Sequence, residues 1–233
     1  MSDRERERIT ARGGKHGGER GDERAPTLLR GDVSPTTATA APVRAYWVPR
    51  AILQRAWELL RQDGLRGVES TVLLGGRRFG AEAVVMAVVY PCGADVTHEA
   101  SFVHVGSNTT AEMGRWLRGE GLTALMQVHT HPGAWTGHSP TDDDFSIASS
   151  EGFLSLVWPQ YAAAPVQHIE ELGVHQLRDG RWHALDAQEA RGLIRVVESD
   201  AMVWTPGIAP RPARGAGGGA SDAPVPHLVR TIP

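Results

Sequence analysis

Cysteine, aromatic residues, positive charge and long apolar runs are all in short supply in this chain, and each shortage closes off a class of protein. Among 233 residues there is one cysteine, Cys92, so neither an internal disulfide nor a Cys-x-x-Cys redox or zinc pair can form. A reducing, cytoplasmic setting is the expectation. The apolar run "AVVMAVVY" at 83–90 is strand-sized, far below the roughly 20 residues of a membrane-spanning helix. "MSDRERERIT" places no apolar segment behind its charges, which argues against a secretory signal. The formal net charge is −3 with the histidines neutral. A general nucleic-acid binder would be basic over its binding domain, so no nucleic-acid partner is expected.

What is present suffices for a core. Hydrophobic residues make up 41% of the chain and charged residues 22%, close to the globular average. They are unevenly spread. Residues 1–42 are charged, then Gly-rich, then Thr/Ala/Pro-rich, and 206–233 is Pro/Gly-rich; such segments bury too little apolar surface to offset chain entropy and read as disordered tails. One domain is expected between them, over 43–205. No internal repeat is visible, and the Ala/Gly/Arg content fits a GC-rich bacterial source.

Within the domain, "PRAILQRAWELLRQDG" (49–64) carries Ile52, Leu53, Ala56, Leu59 and Leu60 at helical spacing, closed by Gly64. Strands are expected at 68–76, 81–91 and 100–106, and a helix over 107–121 carrying Met113, Trp116 and Leu117. The continuously apolar 122–131 reads as a central strand covered on both faces. A helix over about 140–150, a buried strand at 152–159, a hairpin over 173–185 turning at Asp179-Gly180 and a last helix over 186–199 complete the order. Mixed strands and helices of this kind predict an α/β fold, a sheet with helices on its faces.

The chemistry is concentrated in "VHTHPGAWTGHSPTDDDF", 128–145. On a strand, residues two apart share a face, so His129 and His131 point to the same side and Pro132 ends the strand beneath them. Ser139-Pro140-Thr141-Asp142 has the form of a helix start: a capping serine, proline in the first turn, and an acid three residues after the cap. Capping alone accounts for Ser139 and Asp142. It leaves two histidines on one face, aimed at an acidic helix start, without a role. Two imidazoles and a carboxylate are a donor set suited to zinc, and three protein ligands leave the fourth tetrahedral position open, the pattern of a catalytic site.

His129-x-His131, ten intervening residues and Asp142, with Pro132 after the second histidine and Ser139 three before the acid, resembles the JAMM motif of the JAB/MPN metalloproteases. The resemblance covers most of 50–185. It implies a three-layer α/β/α sandwich around a mixed sheet, similar to the deaminase-like fold. It also implies one zinc per chain on His129, His131 and Asp142, and a catalytic glutamate on an early strand. Family members resemble E-x-x-G-x-L-x-G there; "ESTVLLGG" keeps Glu69, Leu74 and Gly76 and has Val72 in place of the first glycine. Glu69 is thus the expected general base, with Glu82, Glu99 and Glu112 as competitors, and Ser139 the expected oxyanion donor.

The activity implied is hydrolysis of a peptide or isopeptide bond at the C-terminus of a ubiquitin or ubiquitin-like protein, as conjugate or precursor, with a ubiquitin-like activating enzyme as a further partner. Two alternatives stand beside it: the same hydrolase acting on a sulfur-carrier protein or short C-terminal peptide, and a metal-free MPN scaffold. The intact ligand residues argue against the scaffold. His138 reads as a loop histidine, Asp143 and Asp144 as favourable charge at a helix start, Trp135 as either a loop anchor or a substrate contact, and Trp116 and Trp158 as core. His104, His168, His175 and His183 read as strand or surface residues, and Cys92 as inert.

Overall fold

The stripe Ile52, Leu53, Ala56, Leu59 and Leu60 is buried along one side of helix α1 (Arg50–Gly64), and the sheet it covers organises the molecule. The computed structural model describes residues 42–198 and, as backbone, 203–204 and 227–232. Strands β1 (Ala45–Pro49), β2 (Thr71–Phe79) and β3 (Glu82–Pro91) flank α1 in sequence. A short ribbon, β4 (Val96–His98) and β5 (Val103–Val105), leads into α2 (Ser107–Gly119) and β6 (Thr123–Thr130). Then come α3 (Pro140–Asp144), β7 (Leu154–Trp158), the hairpin β8 (Gly173–Arg178) and β9 (Arg181–Ala184), α4 (Ala187–Leu193) and β10 (Ile194–Val197). Two further strands, β11 (Val203–Trp204) and β12 (His227–Ile232), close the order.

The large sheet runs β10-β1-β3-β2-β6-β7-β8-β9. It is mixed: β2 is antiparallel to both β3 and β6, while β6 and β7 run parallel. Alternation along the central strands sends Val72, Leu74, Met126 and Val128 toward α1, and Leu73 toward Met113 and Leu117 of α2. Both faces are covered, which is why β2 and β6 read as near-continuous apolar runs. The result is the expected three layers, α/β/α. The Asp179-Gly180 turn is also as expected, with φ of 50° and 71° at its two residues, the positive pair a two-residue hairpin turn requires.

Three elements differ from expectation. The helix over 140–150 is five residues long, Pro140–Asp144; Ile147 and Ala148 instead turn into the core on the α2 side, and the Ile147 N–H donates to Gln127 Oε1 at 3.0 Å. The last helix stops at Leu193, and Ile-Arg-Val-Val, rich in β-branched residues, pairs in parallel with β1. In the C-terminal segment read as a tail, 227–232 is a strand parallel to Ala87–Pro91 of β3. β1 covers only Glu82–Val84 of that edge, and an open row of N–H and C=O groups recruits a strand of suitable sequence. The other residues of both expected tails lie outside those described, apart from Pro42.

β2 shifts register at Gly75/Gly76 against β3 and at Leu74/Gly75 against β6, and the second glycine is held by contact. A Cβ on Gly76 would stand 2.0 Å from the Val84 carbonyl oxygen and 2.6 Å from Leu125 Cδ1. Backbone on one side cannot give way. Gly76→Ala is therefore expected to destabilise the fold by about 1–3 kcal/mol through overpacking. Urea unfolding checks this; a midpoint equal to that of the wild type would show that the strand is not held as described.

Candidate metal centre

The register of β2 against β6 assembles the site. Thr71 lies opposite His129; two residues further along each strand, Glu69 comes level with His131, and alternation keeps all four on the face that looks toward α2. With Gln127 they line one cavity of about 270 Å³, whose other walls include Ser139, Asp142, Trp135 and Phe145. His129, His131 and Glu69 are buried, at 4%, 5% and 4% exposure. Three polar, ionisable side chains at that depth require partners.

Asp142 is one of them. It lies at the start of α3, where Ser139 forms a complete capping box: the Asp142 N–H donates to Ser139 Oγ at 3.2 Å, and the Ser139 N–H donates to Asp142 Oδ2 at 2.6 Å. Ser139 Oγ–H also donates to Oδ2 at 2.8 Å. The Asp142 carboxylate therefore closes the cap and faces the two histidines at once. Oδ1 is turned to His129 Nε2 at 3.3 Å, and Oδ2 lies 3.3 Å from His131 Nε2.

The three residues fit a metal ion on three counts. One donor atom from each lies within 4.8 Å of the others. The ring nitrogens away from the cluster are tied down: His131 Nδ1–H donates to the Trp135 carbonyl at 3.1 Å, and His129 Nδ1 lies 3.4 Å from Ser155 Oγ. A carbonyl can only accept, so the Trp135 bond sets the His131 tautomer that leaves Nε2 as the donor. Finally, His129 Nε2 is buried without a hydrogen-bond partner among the described residues, because its approach to Asp142 lacks hydrogen-bond geometry. A cation would satisfy it. Burial opposes the charge on Asp142, but His129, His131 and Ser139 outweigh burial and hold the carboxyl far below the usual range. Burial likewise opposes charge on His131, and Asp142, Glu69 and the Trp135 carbonyl together hold it above its ordinary value.

Glu69 stands outside the ligand set. Burial pushes its carboxyl up to about 7; His131 pulls it down and Asp142 adds to the rise. Its backbone is clamped by the β4–β5 ribbon, since the Glu69 N–H donates to the Glu99 carbonyl at 2.7 Å and His98 Nδ1–H donates to the Glu69 carbonyl at 2.9 Å. The next residue, Ser70, donates to buried Asp63, which Tyr90 and Arg66 also reach. The competitors lie elsewhere. Glu82 is exposed and accepts from Trp47 Nε1, Glu99 is exposed, and Glu112 is partly buried on α2; none lines the cavity.

His138 lies on the loop before α3, as read from the sequence, but its side chain is buried. Its side chain is 5% exposed, stacked 3.9 Å from His175 and edge-on to Trp182, with Nδ1 2.9 Å from Asp143 Oδ1. Burial and His175 lower its pKa to about 4, so it packs as a neutral ring. Trp135 stacks on His131 at 5.1 Å and 18°, as a loop anchor does, and it also lines the cavity. The sequence carried no spacing signal for His98, His175 or the aromatic wall Phe102 and Phe145, because tertiary contacts alone bring them here.

Two expectations follow. Replacing a donor should abolish metal binding while leaving the fold: His131→Ala should bind no metal by elemental analysis, and full stoichiometry in that variant would remove the site. In metal-free protein, the Glu69 carboxyl holds its proton more tightly folded than unfolded. Its contribution to stability is fully present below the unfolded value of 4.5 and is lost as pH rises to about 7. Wild type should therefore lose stability relative to Glu69→Gln across that window, measured as urea midpoints in chelator; a constant difference would contradict the burial of Glu69.

No family model matches the chain. It is 34% identical over 124 residues to the probable metalloprotease y4jG of Sinorhizobium fredii, an alignment covering 53% of this chain and 76% of that protein. Among solved structures it is similar to the solution structure of protein DSY2949 from Desulfitobacterium hafniense, at 17% identity and a TM-score of 0.47, over 66% of this chain and 94% of the other. It is also similar to the crystal structure of AF2198, a JAB1/MPN domain protein from Archaeoglobus fulgidus, at 12% identity and a TM-score of 0.33, over 61% and 95%. A named metalloprotease matched over most of its length agrees with what the histidine pair and its acid already implied: the chain belongs to the JAB/MPN (JAMM) metalloproteases.

Proposed function

We propose that this metal-dependent hydrolase is a zinc peptidase or isopeptidase that cleaves an amide bond at the C-terminus of a ubiquitin or ubiquitin-like protein, in a conjugate or a precursor. One observation carries the reading: a buried carboxyl outside the ligand set, Glu69, shares a cavity with the three-donor cluster His129, His131 and Asp142. A purely structural metal site closes its coordination with protein and has no need of a neighbouring base. Zinc is supported by the donor chemistry of two imidazoles and one carboxylate. The ubiquitin-like substrate, and an activating enzyme acting on the same protein, rest on the family resemblance. Among the described residues no helix is long and apolar enough to cross a membrane. The lack of a disulfide pair supports a cytoplasmic setting.

His129, His131 and Asp142 would hold the zinc, which would supply Lewis acidity and lower the pKa of a water from about 16 toward about 7. Glu69 takes the proton of the attacking water and returns it to the leaving nitrogen. A carboxyl poised near neutrality is suited to both steps. Ser139 offers its hydroxyl proton, now given to Asp142, to the oxygen of the carbonyl under attack. His131 is held in one tautomer by the Trp135 carbonyl and stays a donor throughout. Gln127 ties β6 to β7 through Ser155, and to the segment after α3 through Ile147, keeping the two ligand-bearing segments in fixed relation.

The rate should rise with pH as Glu69 loses its proton, with the rising limb at or below about 7, since a nearby cation lowers the pKa of a carboxyl. Glu69→Gln should keep fold and zinc and lower cleavage about 10²–10⁴-fold, the usual cost of a lost general base. Ser139→Ala should lower it about 10²–10³-fold. Cleavage of a ubiquitin-like protein carrying an isopeptide-linked C-terminal peptide is the assay, with Glu82→Gln as the comparison. An inactive Glu82→Gln beside a fully active Glu69→Gln would overturn the assignment.

A further inference from the structure

Among the described residues, four other than glycine have a positive φ. Asp179 is accounted for by its hairpin turn. The other three are consecutive: Gln160, Tyr161 and Ala162, at 53°, 53° and 55°. A Cβ makes this left-handed region unfavourable, and L-residues visit it singly rather than in runs. Such strain persists only where the surroundings over-determine it, and it gathers at functional sites.

The surroundings that hold this turn belong to α1 and β7. Trp57 Nε1–H donates to the Ala162 carbonyl at 2.9 Å, and Arg61 Nη1–H donates to the Ala163 carbonyl at 2.9 Å. Trp158 Nε1–H donates to the Ala164 carbonyl at 3.0 Å. A Cβ on Gly64 would stand 2.0 Å from the Tyr161 carbonyl oxygen. Glycine at the end of α1 is what lets the helix seat against the turn.

The turn in its place holds the metal centre from two sides. Gln160 N–H donates to the Gly133 carbonyl and Tyr161 N–H to the His131 carbonyl, both at 2.8 Å. The His131 N–H in turn donates to the Trp158 carbonyl at 2.9 Å, so one segment fixes both backbone polar groups of this donor residue. The Tyr161 side chain reaches the loop between β4 and β5, where Oη–H donates to the Ala100 carbonyl at 2.7 Å. Beside Ala100 is Glu99, whose carbonyl accepts the Glu69 N–H at 2.7 Å. The ribbon needs such a tie. It is a two-stranded sheet of its own, so no ladder of the main sheet sets its distance from β6. Glu69 itself lies one residue beyond Ser70, whose carbonyl accepts the Thr130 N–H at 3.0 Å. Tyr161 does not line the cavity, so it acts on the centre only through these neighbours.

We propose that Tyr161 is a positioning residue that sets the spacing between Glu69 and the metal donors, tying the backbone of His131 to the loop that clamps the backbone of Glu69. This role rests on the hydrolase reading for Glu69 as the base; the tie itself stands apart from it. Base catalysis is sensitive to such spacing, since a misplacement of about 1 Å can cost about 10²-fold in rate.

The test is Tyr161→Phe in the full chain, which removes the hydroxyl and leaves both backbone bonds of the turn. Zinc content and the urea midpoint should stay close to those of wild type. One hydrogen bond is worth a net factor of about 2–10. In metal-free protein, amide exchange followed by NMR should therefore be about 2–10-fold faster at Glu69 and Glu99 and unchanged at Met126 and Val128 of β6. In zinc-loaded protein, kcat on the isopeptide-linked substrate should fall about 2–10-fold, with KM within about twofold of wild type. Placed in a Glu69→Gln background, Tyr161→Phe should cost no further rate, because the group it positions no longer acts. A merely structural residue would cost the same factor in both backgrounds. Unchanged exchange at Glu69 and Glu99, or an equal loss of rate in both backgrounds, would overturn the proposal. Faster exchange in the variant of a chain that cleaves no peptide and no ubiquitin-like conjugate would sustain the tie and reject the hydrolase reading. Cleavage by Tyr161→Phe at the full rate of an active wild type would reject the positioning role and leave that reading standing.

Discussion

Thr71 faces His129 where β2 and β6 run antiparallel, and that pairing places Glu69, Thr71, Gln127, His129 and His131 together on the cavity floor, opposite Asp142. A slip of one residue would turn Glu69 away from His131 and toward the α1 face, where Ser70 now bonds Asp63. The register is therefore as much a part of the chemistry as the donors. It is fixed from both sides of the sheet. Val72 and Leu74 must meet the α1 layer while Leu73 meets α2, and Thr130 Oγ1 accepts the Ser70 N–H at 2.9 Å just where the ladder ends. Gly75 and Gly76 absorb the irregularity at the other end of β2, far from the site.

Asp142 shows how a five-residue helix can carry a functional acid. Helices this short have little stability of their own, and α3 buries none of its residues. Its first turn is held by the Ser139 capping box, by proline at the start, and by His129 and His131 reaching across from β6. The same carboxylate closes the cap with Oδ2, which also faces His131, and presents Oδ1 to His129. A cap residue without charge would start the helix equally well and bring no donor. An acid elsewhere on the loop would bring a donor without a fixed direction.

The parts legible in the sequence are those whose information is local. His129 and His131 share a face because strand alternation requires it, and Asp142 sits three after a capping serine because the box requires it. Glu69 was reached by resemblance alone, through Leu74 and Gly76, and Val72 departs from that pattern because its side chain fills the α1-side core. The layers and the central position of β6 were legible from apolar runs. What could not be read was set by pairing between distant segments. β10 looks helical beside α4 until β1 offers it an edge, and β12 sits in low-complexity sequence until the uncovered half of β3 recruits it. His138 has no periodic signal, and only the fold brings His175 and Trp182 around it.

Charge ties these observations together. Without a cation, the floor holds a carboxylate well below its ordinary pKa, a histidine above its own, and a glutamic acid raised to about 7. Burial first, and then the charge of Asp142, favour the neutral form of Glu69, while Asp142 and Glu69 favour the charged form of His131 against its burial. A metal ion on the three donors would compete with protons for the imidazole nitrogens, and its charge would favour the ionised form of Glu69. Loading the site with metal would thus also favour the base form of its neighbouring acid. His138 and His175, kept neutral by burial, add no competing positive charge behind His129. That arrangement asks nothing of the surface, and it explains why the acid most shifted from its ordinary value outside the ligand set is the one level with His131.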